Sequence, residues 1–311
     1  MSADPSTEAI YEAHGDYLWG LAFRMLGVRA DADEVVQDAF VRLLRAEPDR
    51  TAAMRPWLVR VTMNLARDRL RARKRETYIG PWLPAVTDLG TGEPASLPGA
   101  RYTGVESLSL GFLWAAEQLD DVQRGVLVLR DVLGHSVRET AAALELSESN
   151  VKVITHRVRG RMREWEASQR RSLAVPHEQV IDAMRRFFGS VAAGEREEAE
   201  AALAEDVRML SDGGDEFFAA RKPVVGAAKV AGFYVKIAAG EVAAPTLEIR
   251  TLGGMPTLIV RRPKAKDNNA PAACIQVELN ESGRISRIYS VLATAKVRGM
   301  LSDRARSGCP S

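Results

Sequence analysis

Hydrophobic side chains recur at helical spacing along the first quarter of the chain. The apolar residues of 7–26 and of 31–45 each line one face of a helix, with Gly27 between the two segments. A third amphipathic segment, 54–75, carries Pro56 in its first turn, where proline suits a helix start. The pattern therefore predicts three consecutive helices, each with one face directed into a core.

Two further helical patterns follow beyond residue 104. Residues 105–133 have apolar side chains at three- to four-residue steps, and Gly134 marks the end of the predicted helix. Residues 136–163 contain two short amphipathic repeats around a polar turn, in which Ser147 suits an N-cap and Glu148 the positive end of a helix dipole. The spacing predicts a helix-turn-helix.

The pattern changes again in the last third of the chain. It predicts helices near 176–194 and 226–239, and a helix followed by a strand within 195–212. Alternating and β-branched residues, separated by turn residues, predict further strands. These strands are Thr246–Thr251, Thr257–Arg262, Ala273–Leu279 and Arg284–Leu292. Such an order favours an α+β domain with an antiparallel sheet.

A segment rich in turn-forming residues separates the helical halves. Residues 76–104 contain four prolines and five glycines and no sustained apolar period, which indicates a linker. Its first part, YIGPWLP, carries aromatic and aliphatic side chains, Ile79 among them, that are costly to leave in water. We expect it to dock on a folded domain; the alternative is a local cluster that ends the preceding helix. Residues 296–311 are interpreted as a flexible tail.

The amino-acid composition limits the classes of protein to which this chain can belong. The 311 residues are 46% hydrophobic and 27% charged with a net charge of +2, so affinity for nucleic acid must come from local patches. Cys274 and Cys309 are too few for a disulfide framework or a zinc site, and no apolar run is long enough to span a membrane. A soluble cytoplasmic protein without metal or cofactor is expected.

Charge is concentrated on two of the predicted helices. Residues 54–75 contain eight cations and one acid, which favours contact with nucleic acid over a merely solvated face or pairing with the acidic helix 31–45. Asn64 lies among these cations and can hydrogen-bond to a base edge. The outward face of the second helix of the helix-turn-helix has short polar groups near its start and cations further along, as a recognition helix in a major groove requires.

These features together resemble the extracytoplasmic-function sigma factors, over about residues 6–165. Asp31–Phe40 is similar to the family's D-A-E-D-x-V-Q-E-x-F helix, and Trp57, Leu58, Asn64, Asp68 and Arg71 match its W-L, N, D and R signature. The resemblance implies that the acidic helix docks on the clamp helices of the RNA polymerase largest subunit and that the next helix opens the minus-10 promoter element. The implied polymerase contacts are Asp33, Glu34, Gln37, Asp38 and Phe40, and the implied minus-10 contacts are Arg60, Asn64, Arg67, Asp68 and Arg71.

The resemblance also implies that the helix-turn-helix reads the minus-35 element. Most of the family shows V-K-S-R-L-H-R-A-R where this chain has residues 151–159, VKVITHRVR. Ile154 replaces a family arginine, which predicts a different promoter preference. The implied contacts are Ser149, Asn150, Lys152, Val153, His156, Arg157 and Arg159.

The Y-x-G-x-W-L-P linker resembles the subgroup that continues into a SnoaL-like domain. Asp212-Gly213-Gly214-Asp215-Glu216 approximates that subgroup's D-G-G-G-K motif. The implied interdomain regulatory residues are Tyr78, Pro81, Trp82, Leu83, Pro84, Asp212, Gly213 and Gly214.

The predicted fold is multidomain, with two all-α sigma domains and one α+β domain. The sigma-2 helical bundle spans 6–76, the linker 77–104, the sigma-4 helix-turn-helix domain 105–166, and the cone-shaped SnoaL/NTF2-like domain 176–295. A sigma factor that binds core RNA polymerase and promoter DNA, modulated by its fused domain, is the function favoured by the resemblance.

Two alternatives stay open at this point. One is a dimeric helix-turn-helix regulator that senses a small-molecule ligand through its third domain. The other is an isomerase-like pocket in that domain, for which the candidates His177, Asp206, Asp212 and Asp215 are poor, because glycine turns explain clustered aspartates without catalysis. We favour a regulator without enzymatic activity.

Overall fold

The chain forms two compact units in a computed structural model. The structure describes residues 6–46, 54–73, 78, 80–87, 100–104, 106–173, 175–265 and 268–301. The helical unit comprises residues 1–77 and 89–167, and the C-terminal unit comprises residues 78–88 and 168–311. Part of the predicted linker therefore belongs to the C-terminal unit, as the prediction that YIGPWLP docks on a folded domain requires. Ile79 of that motif lies outside the described residues.

The helical unit begins with the three predicted helices. They are α1, Thr7–Leu26; α2, Arg29–Ala46; and α3, Met54–Arg73. Gly27 ends α1 in the left-handed conformation (φ 69°), and its N–H donates to the Phe23 carbonyl, so the break between α1 and α2 lies where predicted. The three helices pack on one another through buried side chains such as Leu21, Leu43 and Leu58.

The segment 105–133 is helical as predicted, but it is divided into several short elements. Its residues form a 3₁₀ turn at Glu106–Leu108, then α4 (Leu110–Glu117) and α5 (Asp121–Val126), which continues as a π-helical turn at Leu127–Val132. The break before α5 is fixed by Asp120, whose side chain accepts from the Gln123 N–H at 2.7 Å.

The helix-turn-helix is confirmed as α6, Val137–Leu144, and α7, Glu148–Leu173. Ser136 and Glu139 form a capping box at the start of α6. Ser147 caps α7 as predicted, because its Oγ accepts from the Asn150 N–H at 3.2 Å.

The boundary of the predicted linker at residue 104 is also corrected. Residues 100–104 belong to the helical unit, where the backbone N–H groups of Arg101 and Tyr102 donate to the Asp131 carbonyl. Tyr102 is buried edge-on against Phe112 and Trp165. Aromatic burial thus anchors the end of a segment whose glycines and prolines suggested only a spacer.

The C-terminal unit combines helices with a six-stranded sheet. Its elements are α8, His177–Ala193; α9, Arg196–Ala201; β1, Leu203–Asp212; β2, Val224–Val225; α10, Ala227–Ala239; β3, Thr246–Leu252; β4, Met255–Arg261; β5, Ala272–Leu279; β6, Ile285–Val291; and α11, Thr294–Leu301. The strand order is β2-β1-β6-β5-β4-β3, and every neighbouring pair is antiparallel except β1 with β6, which is parallel. The predicted α+β class is confirmed.

The two faces of the sheet differ in chemistry. One face packs on α8, α9 and α10 through an apolar core that includes Phe187, Tyr234 and Ile288. Alternation along each strand directs the neighbouring side chains to the other face, where Asp212 on β1 and Gln276 on β5 are buried. A buried polar face requires hydrogen-bonding partners, and the linker supplies several of them.

The interpretation of 296–311 as a flexible tail is wrong for its first residues. Helix α11 covers Thr294–Leu301, and Lys296 within it is 6% exposed. The remainder of the tail lies outside the described residues. Across the described part of the chain, no helix has the length and apolar character needed to cross a bilayer.

Candidate polymerase and promoter interface

The outward face of α2 carries the predicted polymerase contacts. Asp33, Glu34, Gln37 and Asp38 are all exposed. Phe40 is only 7% exposed and packs edge-on against Tyr11. Its side chain therefore belongs to the core of the helical unit and does not lie on the exposed face of α2.

Two apolar residues of α2 escaped the sequence reasoning. Val41 and Leu44 are 40% and 53% exposed and lie one and two turns beyond Gln37 on the same side of the helix. The signal was present in the sequence, because both interrupt the polar stripe of an amphipathic helix.

One cation of α3 is paired with α2. Arg69 donates to Asp31 at 2.9 Å and to Glu34 at 2.5 Å. The hydrogen bond to Asp31 is the main reason that the pKa of Arg69 lies above its usual value. At Arg69, therefore, the basic helix α3 does pair with the acidic helix α2, which is the alternative to contact with nucleic acid that the sequence left open.

The predicted minus-10 residues divide into two groups on α3. Arg60 and Asp68 are exposed and Asn64 is half-buried. Arg67 and Arg71 instead contact α5, where Asp121 Oδ2 lies 3.0 Å from Arg67 Nε and 2.9 Å from Arg71 Nη2. A carboxylate therefore neutralises part of the predicted DNA-binding face.

A second acidic residue binds the end of the same helix. Arg73 donates to Glu117 Oε1 at 2.6 Å, and Glu117 Oε2 accepts from the fully buried Arg124. Burial of the Glu117 carboxyl favours its neutral form, but the charges of Arg124 and Arg73 outweigh burial, so its pKa lies below the usual value. Glu117 is therefore ionised at neutral pH.

Close packing reinforces these ion pairs. A Cβ added at Gly125 of α5 would lie 2.8 Å from the Met63 side chain of α3 and 3.0 Å from that of Leu144 on α6. Nearby, the Tyr17 hydroxyl forms a short hydrogen bond with His135 Nε2, and the Arg55 guanidinium lies 4.0 Å from the Tyr17 ring centroid. Helices α1 and α3 are thus held against the helix-turn-helix domain.

The start of α7 presents the predicted minus-35 residues. The side chains are short and polar in the first turn and larger in the next two. Those that are exposed are Ser149, Asn150, Lys152, Val153, His156 and Arg157. Val153 is 49% exposed, an unusual position for a β-branched apolar residue on a polar helix face.

Arg159 differs from the other predicted contacts. Its guanidinium donates to both carboxylate oxygens of Asp131, at 2.6 Å from Nη2 and 3.0 Å from Nε. This hydrogen bonding is the main reason that the pKa of Arg159 is raised. Because Asp131 is 1% exposed, the arginine is held in one orientation at the side of the recognition surface.

The predicted interdomain residues meet within the C-terminal unit. The fully buried Asp212 carboxylate accepts from Lys296 Nζ and the Leu83 N–H, each at 2.6 Å, and from the Tyr78 hydroxyl. Lys296 Nζ also lies 4.1 Å from the Trp82 ring centroid. Lys296 was not predicted, because it lies in the segment interpreted as a flexible tail. It brings a cation to this site, whereas Glu216, at the position of the lysine in the subgroup's D-G-G-G-K motif, is acidic.

The other predicted interdomain residues shape this site. Gly214 has φ 60°, and its N–H donates to Asp212 Oδ1 at 3.1 Å. A Cβ at Gly213 would lie 2.6 Å from the Phe217 carbonyl oxygen, so the turn needs glycine there. Pro84 is buried and Pro81 is half-buried.

The remaining catalytic candidates of the third domain are dispersed. His177, Asp206 and Asp215 are exposed, and Asp212 is occupied by the linker. A 370 Å³ cleft lies between α8 and strands β3 and β4. It is lined by Met184, Arg185, Phe188, Gly189, Leu247, Ile249 and Leu258. Its lining contains no carboxylate or histidine.

Comparison with known families assigns both parts of the helical unit. Residues 10–76 match the family model of Sigma-70 region 2, and residues 114–162 match that of Sigma-70, region 4. Residues 10–76 are therefore region 2 of this chain, and residues 114–162 are its region 4.

Relatives and a solved structure agree with this assignment. The chain is 31% identical to the ECF RNA polymerase sigma factor SigJ of Mycobacterium tuberculosis over 226 residues, 72% of this chain and 70% of SigJ. It is 32% identical to the probable ECF RNA polymerase sigma factor SigI of the same species over 168 residues, 53% of this chain and 57% of SigI. The crystal structure of M. tuberculosis SigJ matches the fold with a TM-score of 0.68 and 21% identity, covering 94% of this chain and 98% of SigJ. The chain belongs to the extracytoplasmic-function group of RNA polymerase sigma factors.

Proposed function

We propose that this sigma factor binds core RNA polymerase through α2 and directs transcription initiation by reading the minus-10 element with α3 and the minus-35 element with α7. The observation that carries the proposal is the exposed set of polar and cationic side chains at the start of α7, held by a capped helix-turn-helix. A major groove admits such a helix, whose N-terminal residues meet the base edges.

Polymerase binding is proposed for the exposed face of α2. Glu34, Gln37 and Asp38 provide charge and hydrogen bonding, and Val41 and Leu44 provide apolar area beside them. Polar groups around a small apolar centre are typical of protein interfaces. The partner is the pair of clamp helices of the largest polymerase subunit.

Minus-10 recognition is proposed for the outward face of α3. An opened strand needs cations for its phosphates and an amide for an unstacked base. Arg60 and Arg71 fit the first requirement and Asn64 fits the second, all within three turns of one helix.

The C-terminal unit is proposed to regulate initiation through the linker. The linker joins regions 2 and 4, and its segment around Trp82 and Leu83 is bound to Asp212 and Lys296. Holding the first part of this connection shortens the free linker and so restricts how far the two regions can separate, and a tethered contact acts at high effective concentration. The domain therefore controls access to polymerase and promoter without chemistry of its own.

A test of polymerase and promoter binding starts with core RNA polymerase and a randomised promoter library. Holoenzyme formation and run-off transcription from selected templates are expected for the full chain. Asp38→Arg should reduce holoenzyme formation, whereas the matched reversal Glu178→Arg, at an exposed site on α8, should not. Duplex binding without holoenzyme formation would favour the alternative of a dimeric helix-turn-helix regulator.

Regulation is tested by chains that end after Trp165 or after Ala295. The second keeps the sheet but lacks Lys296 and with it the ion pair to Asp212. Transcription that differs from that of the full chain is expected for both. If both transcribe as the full chain does, the C-terminal unit is not a regulator.

A small-molecule ligand is a second candidate role for the same unit. The cleft between α8 and β3 has an apolar lining with Arg185 among its residues, which suits an apolar molecule with an acidic group. Saturation-transfer NMR with medium-chain fatty acids tests this role, and Phe188→Ala should abolish any signal.

A further inference from the structure

The acids of α4 and α5 bind the arginines that region 2 offers to promoter DNA. Asp121 contacts Arg67 and Arg71 at 3.0 and 2.9 Å, and the side chains of Asp121 and Arg67 are only 17% and 13% exposed. Partial burial limits screening by salt, so these contacts are stronger than ordinary surface pairs. Glu117 holds Arg73 in the same way, two residues beyond Arg71 on α3.

These contacts are incompatible with simultaneous reading of both promoter elements. The inference rests on the proposed function, in which region 2 and region 4 bind elements centred about 25 base pairs apart. At 3.4 Å per base pair this separation is about 85 Å. Carboxylate–guanidinium contacts of 3 Å between the two regions must therefore break before both elements are bound.

The two DNA-binding surfaces are not equally affected. The side chains of Lys152, Val153 and His156 on α7 are exposed while the contacts between the regions are intact. Arg67 Nε donates to Asp121, and the negative charge of that carboxylate opposes the approach of a phosphate to the same guanidinium. While the contacts between regions 2 and 4 are intact, the helical unit can thus bind the minus-35 duplex, but its binding of the minus-10 strand is weakened.

We propose that Asp121 and Glu117 compete with promoter phosphates for the arginines at the C-terminal end of α3. The two carboxylates occupy the place of the DNA backbone, and the minus-10 strand displaces them when the regions separate. Promoter binding then proceeds in an order, with the minus-35 duplex bound before the minus-10 strand. Neutralising the competitor raises affinity for the minus-10 strand alone.

The test uses the full chain and two fluorescent DNA probes derived from the selected promoter. One is a fork with a single-stranded minus-10 element, and the other is the minus-35 duplex. Asp121→Asn is expected to bind the fork about fivefold more tightly, equivalent to about 1 kcal/mol for two partly buried ion pairs. Its affinity for the minus-35 duplex should be unchanged.

The matched control is Asp182→Asn. It makes the same change in net charge at an exposed α8 residue whose partner is Arg185, within the same helix. An equal gain in Asp182→Asn, or a gain of Asp121→Asn on both probes, would mean that net charge rather than competition sets affinity. Equal fork affinity of Asp121→Asn and the parent chain, or no fork binding by either, would overturn the proposal, whereas a parent chain that forms no holoenzyme would overturn the proposed function.

A second variant removes the same carboxylate with a different side chain. Asp121→Ser takes the contact away from both Arg67 and Arg71 and keeps a residue that suits the first turn of a helix. Circular dichroism first establishes that each variant is folded. If Asp121→Asn does not fold, a gain in fork affinity by Asp121→Ser supports the proposal and an unchanged affinity contradicts it.

Discussion

The ion pair between Asp212 and Lys296 determines how firmly the C-terminal unit holds the linker. The two side chains are 0% and 5% exposed and lie 2.6 Å apart. The same carboxylate accepts from two backbone N–H groups and the Tyr78 hydroxyl. Replacing it tests the linker contact at its centre.

Asp212→Asn preserves the shape of the side chain but leaves the buried Lys296 ammonium without its carboxylate. Removing one partner of a buried ion pair costs about 3–5 kcal/mol. That loss is a large part of the roughly 5–15 kcal/mol that stabilises a domain, so we expect a folded but weakened unit. Lys296→Met should cost less, about 1–3 kcal/mol, because Asp212 keeps its other hydrogen-bond donors.

The assay follows urea unfolding and the ¹⁹F NMR signals of 5-fluorotryptophan. Trp82 is the only tryptophan among residues 78–88 and 168–311, so its signal, assigned with Trp82→Phe, reports the linker contact. We expect that signal to move towards its position in unfolded protein in Asp212→Asn while the other four stay. The double variant Asp212→Asn/Lys296→Met should lose less stability than the two single losses combined, because no buried charge remains. A loss below about 1 kcal/mol with an unmoved Trp82 signal would show that this ion pair does not hold the linker.

Three further predictions concern the helical unit. Val153→Ala should weaken binding of the minus-35 duplex about fivefold if Val153 contacts a thymine methyl group, and replacing that thymine with deoxyuridine should weaken the parent equally but the variant little further. Lys152→Ala should reduce the slope of log affinity against log salt concentration by about 1 in duplex binding. Acidification should destabilise the unit, because burial lowers the folded-state pKa of His135; the unfolded chain then takes up the proton first, and stability falls as the pH drops below about 6.5. His135→Gln should flatten this fall in urea unfolding.

Each of these predictions has its own control. Deoxyuridine at positions that Val153 does not contact should leave the affinity of both the parent and Val153→Ala unchanged. An unchanged salt slope in Lys152→Ala would show that this lysine meets no phosphate. His14 also has a pKa lowered by burial, so part of the acid sensitivity should persist in His135→Gln. Acid sensitivity that is unchanged in His135→Gln would contradict the assignment to His135, and its complete loss would contradict the contribution of His14.

The elements of the helical unit followed largely from sequence, because local periodicity determines which face of a helix is apolar. The contacts between region 2 and region 4 did not. Arg24 and Arg124 are each 1% exposed, although arginine in an amphipathic pattern is expected at the surface. Their partners are backbone carbonyls, the Ser107 hydroxyl and Glu117, most of which only the folded chain brings near.

The linker site shows a similar division. Tyr78, Trp82 and Asp212 were recognised by motif, since an apolar linker and a glycine turn are local signals. Lys296 was not, because a single lysine in a polar segment has no local signature and acquires its role from strand β6, which precedes it. The parallel pairing of β1 with β6 was equally invisible, since the two strands are distant in sequence.

That pairing also sets an order for synthesis of the chain. β1 lies between β2 and β6, so the sheet stays incomplete until the last strand has left the ribosome. At about 5–20 residues per second, the stretch from Ala167 to Lys296 takes on the order of 10 s to emerge. During that interval regions 2 and 4 are complete, but the C-terminal unit that binds their linker is not. In each new molecule the linker is therefore free of this contact for a short time.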